Sequence, residues 1–167
     1  MDRQQIGLKL ATEALELPLS VDTFSDRLIL QKLVVIVQAA GVDLGYHFHW
    51  YLRGPYSPTL TRDAFAASTE ARGTSEEFAG WHLDETSQKR LENLRGLFRG
   101  EDRQVLASRL ELLGSVLYLL CNRRVSGNDT AELQKILRAF GKSFSEDEIT
   151  SALKELKKYG LWGTASE

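Results

Sequence analysis

The stretch WYLRGPYSPTL, residues 50–60, interrupts a chain whose apolar residues otherwise recur mostly at helical spacing. It overlaps YHFHWYLR, residues 46–53, where the period changes from 3.6 to 2 and aromatic residues are frequent, both typical of a β-strand. Gly54 can adopt a positive φ, Ser57 can cap a helix, and Pro58 suits a first helical turn. The stretch therefore predicts a strand, a tight turn and a capped helix in immediate succession.

Alternation along the predicted strand separates its side chains into two faces. The face expected in the core carries Tyr46, Phe48, Trp50 and Leu52. The predicted partner-binding face carries His47, His49, Tyr51 and Arg53, with Tyr56 held beside them by the turn. Tyrosine and arginine are enriched where proteins bind one another, and a preformed turn lowers the entropy lost on docking. A purely structural alternative has Tyr56 covering the next helix and Arg53 pairing with Asp63.

The remaining apolar residues predict packing helices and only one further strand. The predicted helices span residues 2–16, residues 26–40 with Ser25 as N-cap, residues 84–100, and residues 101–122 with a buried stripe that includes Val105. FAGWHLD, residues 78–84, is predicted to pair with the first strand, and residues 69–77 form a polar loop. We therefore expect one mainly α domain with a small β-hairpin or short sheet, spanning residues 1–167.

Two further helices near the C-terminus resemble a helix-turn-helix. Leu133, Ile136, Leu137 and Phe140 line the first of them, and Ser145 with Glu148 predicts a capping box for the second. In a helix-turn-helix the N-terminal residues of the second helix meet base edges. Here those residues are Glu146, Asp147 and Glu148, which repel phosphates, so the pattern argues against DNA reading by this pair.

Composition is that of a globular protein, with 43% hydrophobic and 26% charged residues and a net charge of −2. The single cysteine, Cys121, excludes an intramolecular disulfide within the chain. The polar, periodic N-terminal residues do not resemble a secretory leader, and the apolar run at residues 28–41 is too short and too polar to span a membrane. We therefore expect a cytoplasmic protein that does not bind membranes.

Positive charge is concentrated in the middle of the chain. Residues 87–142 hold eleven basic and six acidic residues, whereas residues 1–86 hold seven basic and twelve acidic ones. Lys89, Arg90, Arg95 and Arg99 are expected to share one helix face. Such a face can bind nucleic acid weakly through phosphates, or it can simply be solvated.

The histidines are the only other group of residues that could support chemistry. His47 and His49 share a strand face, and His82 lies in the second predicted strand, so three imidazoles could meet around a metal ion. No carboxylate stands at ligand spacing, and the sequence contains neither a glycine-rich nucleotide-binding motif nor a zinc-protease motif. We expect no catalytic residues, no metal and no cofactor, with a metal-dependent enzyme built on these histidines as the alternative.

The pairing of RLILQKLVVIVQAAG with GYHFHWYLRGPYSPTLTRD resembles a YwgA-like family of small prokaryotic proteins, in which an L-Q-K-L helix precedes an aromatic strand ending in G-P-Y-S. It is more distantly similar to the Panacea domain of phage-defence and toxin–antitoxin systems. The residues that carry the likeness are Leu30, Gln31, Lys32, Leu33, Trp50, Gly54, Pro55, Tyr56 and Ser57. The resemblance implies a winged-helix-like core, which we place over residues 1–83, and a regulatory or antitoxin-type role; the periodicity predicts a helical part over residues 84–167. A small interaction module for a protein or nucleic-acid partner is therefore the functional expectation.

Overall fold

The computed structural model describes residues 1–71, 79–100, 102–122, 125 and 129–163, and within them the protein is mainly helical with one small antiparallel sheet, as predicted. The described helices are α1 (Arg3–Ala14), α2 (Phe24–Ala39), α3 (Pro58–Ala71), α4 (Glu85–Leu94), α5 (Arg103–Cys121), α6 (Thr130–Ala139) and α7 (Glu146–Lys158). The two strands are β1 (His49–Tyr51) and β2 (Gly54–Tyr56), and a 3₁₀ turn, Arg95–Phe98, follows α4.

Helices α2 and α5 pack along each other at the centre of the hydrophobic core. Both helices are apolar over most of their circumference, so their side chains leave water only if the helices are buried on several sides. Asp26 at the start of α2 accepts hydrogen bonds from Arg103 Nε at 3.0 Å and Nη2 at 2.5 Å, so the two helices are also joined by charge. Burial raises the pKa of Asp26, but hydrogen bonds from Arg103, Thr23 and Ser20 outweigh it and lower that pKa.

Two details of these central helices differ from the prediction. The N-cap of α2 is Thr23, not Ser25, because the Thr23 hydroxyl accepts from the Asp26 amide while the Asp26 carboxylate accepts from the Thr23 amide. Val105 of α5 is exposed rather than buried, because it lies in the first turn of the helix, before the buried stripe that begins at Leu106. The predicted first residue of that helix, Glu101, lies outside the described residues.

The strand is shorter than predicted, and its partner is different. His49 pairs with Tyr56 and Tyr51 pairs with Gly54, so the chain folds back at once through a turn of Leu52 and Arg53. The expected pairing with residues 78–84 is wrong: residues 79–84 form a turn and coil, and Phe78 lies outside the described residues. A two-residue hairpin turn lets the main-chain groups of the strand form their hydrogen bonds with the adjacent segment, so no distant segment is needed.

The placement of the predicted core face is correct for three of its four residues. Tyr46 is buried, and Phe48 and Trp50 are partly buried against the core. Leu52 is 87% exposed, so its predicted burial is wrong. It occupies the tip of the hairpin, where the period-2 pattern no longer applies.

The helix after the hairpin begins as predicted, at Pro58 with Ser57 as its cap: the Leu60 amide donates to Ser57 Oγ at 3.3 Å. Helix α3 continues to Ala71, into the expected polar loop, and the rest of that loop, residues 72–77, lies outside the described residues.

The C-terminal pair forms as predicted from two short amphipathic helices. Ser145 caps α7 by accepting from the Glu148 amide at 3.1 Å, which is one half of the predicted capping box; the reciprocal bond from the Ser145 amide to the Glu148 side chain is absent. Leu133 and Leu137 of α6 and Ile149 and Leu156 of α7 belong to the same core cluster as α2 and α5. The winged-helix-like arrangement implied by the family resemblance stays a prediction.

One helix of the described chain, α5, is long and apolar enough to cross a membrane by length and composition alone. Of its most apolar stretch of 18 residues, 67% is buried inside the protein. A central helix of a water-soluble core has the same properties, so this feature is weak evidence for a membrane span.

Candidate functional site

Two adjacent polar side chains of α2 hold the hairpin onto the core. The Gln31 amide accepts from the Ser57 amide at 2.8 Å and donates to the Ser57 carbonyl at 2.9 Å. The next residue, Lys32, donates from Nζ to the Pro55 carbonyl at 2.6 Å. The polar pair inside the L-Q-K-L helix therefore recognises the main chain of the G-P-Y-S segment, which explains why the two motifs occur together in this chain.

Close approach of the hairpin to α5 requires glycine at position 54. Gly54 has a φ of +89°, and a Cβ atom placed there would meet Ser115 Oγ well inside contact distance. Ser115 itself is fully buried, and within the described part of the chain its hydroxyl has no hydrogen-bond partner. The hairpin backbone thus lies directly on α5, with no room for a side chain between them.

Lys32 is the most unusual ionisable residue of this region, because its side chain is only 1% exposed. Burial lowers its pKa to about 7, the charge of Glu111 opposes that shift, and Lys142 adds to it. Glu111 is a buried partner of Lys142, whose Nζ donates to Glu111 Oε1 at 2.5 Å. Arg53, at the tip of the hairpin, lies 3.9 Å from the other oxygen of Glu111.

A largely apolar groove with a cavity volume of about 410 Å³ opens between α2, the hairpin and α3. Exposed apolar side chains surround it: Phe24 is 55%, Tyr51 47%, Leu52 87% and Phe65 46% exposed. The remaining lining residues include Arg27, Leu28, Gln31, Lys32, Arg53, Tyr56 and Thr61. An exposed apolar cluster of this kind, edged by polar groups, typically marks a binding surface.

Three of the five residues predicted to bind a partner line this groove, namely Tyr51, Arg53 and Tyr56. The Tyr51 and Tyr56 rings meet edge to face with centroids 5.3 Å apart, and the Arg53 guanidinium lies over the Phe24 ring at 5.5 Å. His49 is exposed on β1 outside the groove lining, and His47 lines a different hollow together with Cys121. The structure therefore divides the predicted face in two.

The structural alternative is right about Tyr56 and wrong about Arg53. Tyr56 contacts the start of α3, where the Thr61 hydroxyl donates to Tyr56 Oη at 2.8 Å. Asp63 is buried and accepts from Tyr46 Oη at 3.1 Å, so Arg53 pairs with Glu111 instead. Burial, together with the charge of Asp63, raises the pKa of Tyr46.

The predicted nucleic-acid face is largely occupied by contacts within the protein. Arg95 Nε donates to the Ala14 carbonyl at 2.7 Å and its Nη1 lies 3.2 Å from Glu16. Arg90 donates to the Gly41 carbonyl at 2.9 Å, and Lys89 pairs with Glu85 at 3.1 Å. Arg99 is exposed and follows the 3₁₀ turn, so it is not one helical turn beyond Arg95 on a shared α-helix face. Arg123 and Arg124 lie outside the described residues.

The histidines do not form a metal-binding group. Among the residues that the structure describes, no three His, Cys, Asp or Glu side chains lie close enough together to hold a metal ion. His82 lines a hollow beside α1 and the start of α4, whereas His47 lines one between α2 and α5. The second predicted strand, which was to bring His82 beside the other two, does not form.

Sequence reasoning did not identify Phe24, Phe65 or Lys32 as members of a site. A signal was present for Lys32, since a lysine on a helix that is apolar on most sides must either find a partner or expose the core. Phe24 and Phe65 gave no signal, because an aromatic residue in a helix is usually buried. Comparison of the chain with protein-family models, curated proteins and solved structures found no match.

Proposed function

We propose that this protein is a small, non-enzymatic, cytoplasmic regulatory module that binds a partner protein through the groove between α2, the hairpin and α3. The observation that carries the proposal is the ring of exposed apolar side chains around that groove. The proposal agrees with the regulatory or antitoxin-type role that the resemblance to YwgA-like proteins and the Panacea domain implies.

The extent of the apolar surface favours a protein over a small molecule. A cavity of about 410 Å³ is large enough for a drug-sized ligand. Such a ligand would contact only the side of Leu52 that lines the hollow, and Leu52 is 87% exposed at the hairpin tip. A protein segment would cover Leu52 and Phe24 together, and removal of that apolar surface from water would stabilise the complex.

The rigidity of the hairpin also supports a docking role. Lys32 fixes the main chain of β2 at Pro55, Gln31 fixes that of Ser57, the residue after β2, and the Tyr51 and Tyr56 rings contact each other on the exposed side. A surface that is already ordered loses little conformational entropy when a partner binds. Tyrosine and arginine at the rim add large contact areas with polar ends.

Photocrosslinking in the producing cells tests the proposal. p-Benzoylphenylalanine in place of Leu52 is expected to give a discrete protein adduct, identifiable by mass spectrometry. The matched control is the same amino acid in place of Val105, which is also exposed and apolar but lies outside the groove. Phe24→Ala with Phe65→Ala should reduce the adduct from position 52 without loss of the folded protein by circular dichroism.

Three outcomes would contradict the proposal: equal adduct yields from positions 52 and 105, an adduct unaffected by the paired phenylalanine substitutions, or crosslinks to nucleic acid alone. A nucleic-acid adduct would instead favour the alternative partner class expected from the basic middle of the chain.

A further inference from the structure

The groove has a one-sided distribution of charge. Its ionisable lining residues are all basic, with Arg27 and Arg53 as the cations and Lys32 as a buried amine, and no aspartate or glutamate contributes to the lining among the described residues. The chain as a whole carries a net charge of −2, so this local excess of positive charge is not a consequence of composition. Electrostatic complementarity selects partners of opposite charge at such surfaces.

Contacts within the protein leave this positive charge largely uncompensated. Arg27 Nη1 donates to the Val21 carbonyl at 2.8 Å, which is a neutral oxygen, whereas the buried amine of Lys32 adds little positive charge to the groove. Arg53 does face a carboxylate, Glu111, at 3.9 Å. That carboxylate is already bound by Lys142 at 2.5 Å, and the four charges of Arg27, Arg53, Lys142 and Glu111 therefore sum to a positive value.

Arg53 joins the apolar and the charged parts of the groove. Its side chain is 63% exposed and its guanidinium lies 5.5 Å from the centroid of the Phe24 ring. A guanidinium that lies over an aromatic ring is held in place by the ring, and its N–H groups can still donate hydrogen bonds to a carboxylate. A segment seated against Phe24 would therefore meet a cation at the edge of its own apolar face.

We propose that the occupant of the groove is an acidic amphipathic segment of the partner protein, whose apolar side chains fill the hollow and whose carboxylates pair with Arg53 and Arg27. This inference rests on the proposed function and adds the chemistry of the partner. Pairing at a partly desolvated rim strengthens the attraction, and complementary charge accelerates association at low salt.

Fluorescence anisotropy with three synthetic amphipathic peptides tests the charge preference. The three peptides share one pattern of leucines. All remaining positions are glutamate in the first peptide, glutamine in the second and lysine in the third. The glutamate peptide is expected to bind at least about tenfold more tightly than the glutamine peptide, and the lysine peptide more weakly than both. The advantage of glutamate should shrink as ionic strength rises from about 0.05 to about 0.5 M.

Two charge-matched variants locate the effect. Arg53→Glu should abolish the preference for the glutamate peptide, whereas Lys154→Glu, an equal change of charge at an exposed position of α7 outside the groove, should leave it intact. Arg53→Glu also places a carboxylate near Glu111, so thermal melting is measured for both variants, and an Arg53→Glu protein that is folded at the assay temperature excludes unfolding as the cause.

The outcomes separate this inference from the function on which it rests. Equal binding of the glutamate and glutamine peptides, preference for lysine, no binding of any peptide, or equal effects of both variants would overturn the acidic partner. A crosslink from position 52 to a protein would still support the groove as a docking site in those cases. Sedimentation velocity without peptide adds one more arm, because a dimer dissociated by Arg53→Glu would identify a second copy as the occupant and overturn the inference.

Discussion

The groove beside the hairpin is lined by two arginines, Arg27 and Arg53, and the α4 face carries three, Arg90, Arg95 and Arg99. The two sets differ in what they contact. On the α4 side, Arg90 and Arg95 bind main-chain carbonyls of other segments, and Arg95 also meets Glu16. On the hairpin side, Arg53 stands at the rim of an apolar groove beside Phe24. A count of basic residues along a chain therefore does not locate the available positive charge, because packing decides which cations already have partners.

The strongest test of this contrast removes the geometry on which the hairpin face depends. Gly54→Ala should lower the free energy of unfolding by about 3 kcal/mol or more, because the residue needs a positive φ and its Cβ would collide with Ser115. Gly141→Ala is the matched control, since Gly141 has a φ of +76° but nothing within 4 Å of the added Cβ. It should cost about 1 kcal/mol from backbone strain alone. Similar losses in urea denaturation would contradict the close packing of the hairpin on α5.

The second test removes the amide that binds the end of the hairpin. Gln31→Leu should cost about 2 kcal/mol, because the buried amide and carbonyl of Ser57 both lose their partner. Gln104→Leu, at an exposed position of α5, should change stability by less than about 0.5 kcal/mol. If the two substitutions had the same effect in chemical denaturation, Gln31 would be a solvated polar residue and the link between α2 and the hairpin would be wrong.

The third test uses the titration of Lys32. Its pKa is about 7 in the folded protein and 10.5 in an ordinary environment, so between these values the unfolded chain binds a proton that the folded protein does not. The free energy of unfolding should therefore rise with pH above about 7, by up to about 1.4 kcal/mol per pH unit, while below pH 7 both states are protonated and the contribution is flat. Lys32→Met should remove this rise. Glu111 and Lys142, the charged groups that face the Lys32 amine, are present in both proteins, so the difference between the two curves between about pH 7 and 9 isolates the titration of Lys32. Parallel curves would show that the amine is not desolvated.

The smallest expected effects lie on the α4 face. Arg95→Ala should cost about 1 kcal/mol, because the Ala14 carbonyl loses its donor, and Arg99→Ala should cost less than about 0.5 kcal/mol. Mobility-shift assays with duplex DNA are expected to show at most weak, salt-sensitive binding. Loss of tight binding on Arg99→Glu alone, with stability unchanged, would make the α4 face the functional surface and reverse the comparison.

The secondary structure was predictable where local chemistry decides it. Periodicity predicted the described helices other than α3, and the positions of Gly54, Ser57 and Pro58 correctly indicated the turn and the start of α3. The pairing of the strand was not predictable from pattern alone, because GPY and residues 78–84 are both short and poorly alternating. Main-chain hydrogen bonding selected the nearer segment.

The candidate site was predictable only in part. Tyr51, Arg53 and Tyr56 follow from strand alternation and the turn, whereas Phe24 and Phe65 join them from helices that precede and follow the hairpin. His47 and His49 do not join the groove, because β1 begins at His49 and His47, which precedes the strand, lines another hollow. A face of a strand becomes a site only where neighbouring elements leave it uncovered.

The sequence alone was enough to predict a mainly helical chain with a strand and a tight turn after an apolar helix, because hydrophobic period, turn residues and caps are properties of adjacent residues. Only the tertiary structure decided which polar groups are satisfied inside the protein and which remain at its surface. Lys32 and Arg53 are both cations near the hairpin, yet one is buried against the Pro55 carbonyl and the other stands at the rim of an apolar groove. That distinction depends on the packing of α2, α5 and the hairpin against one another, which no local pattern contains.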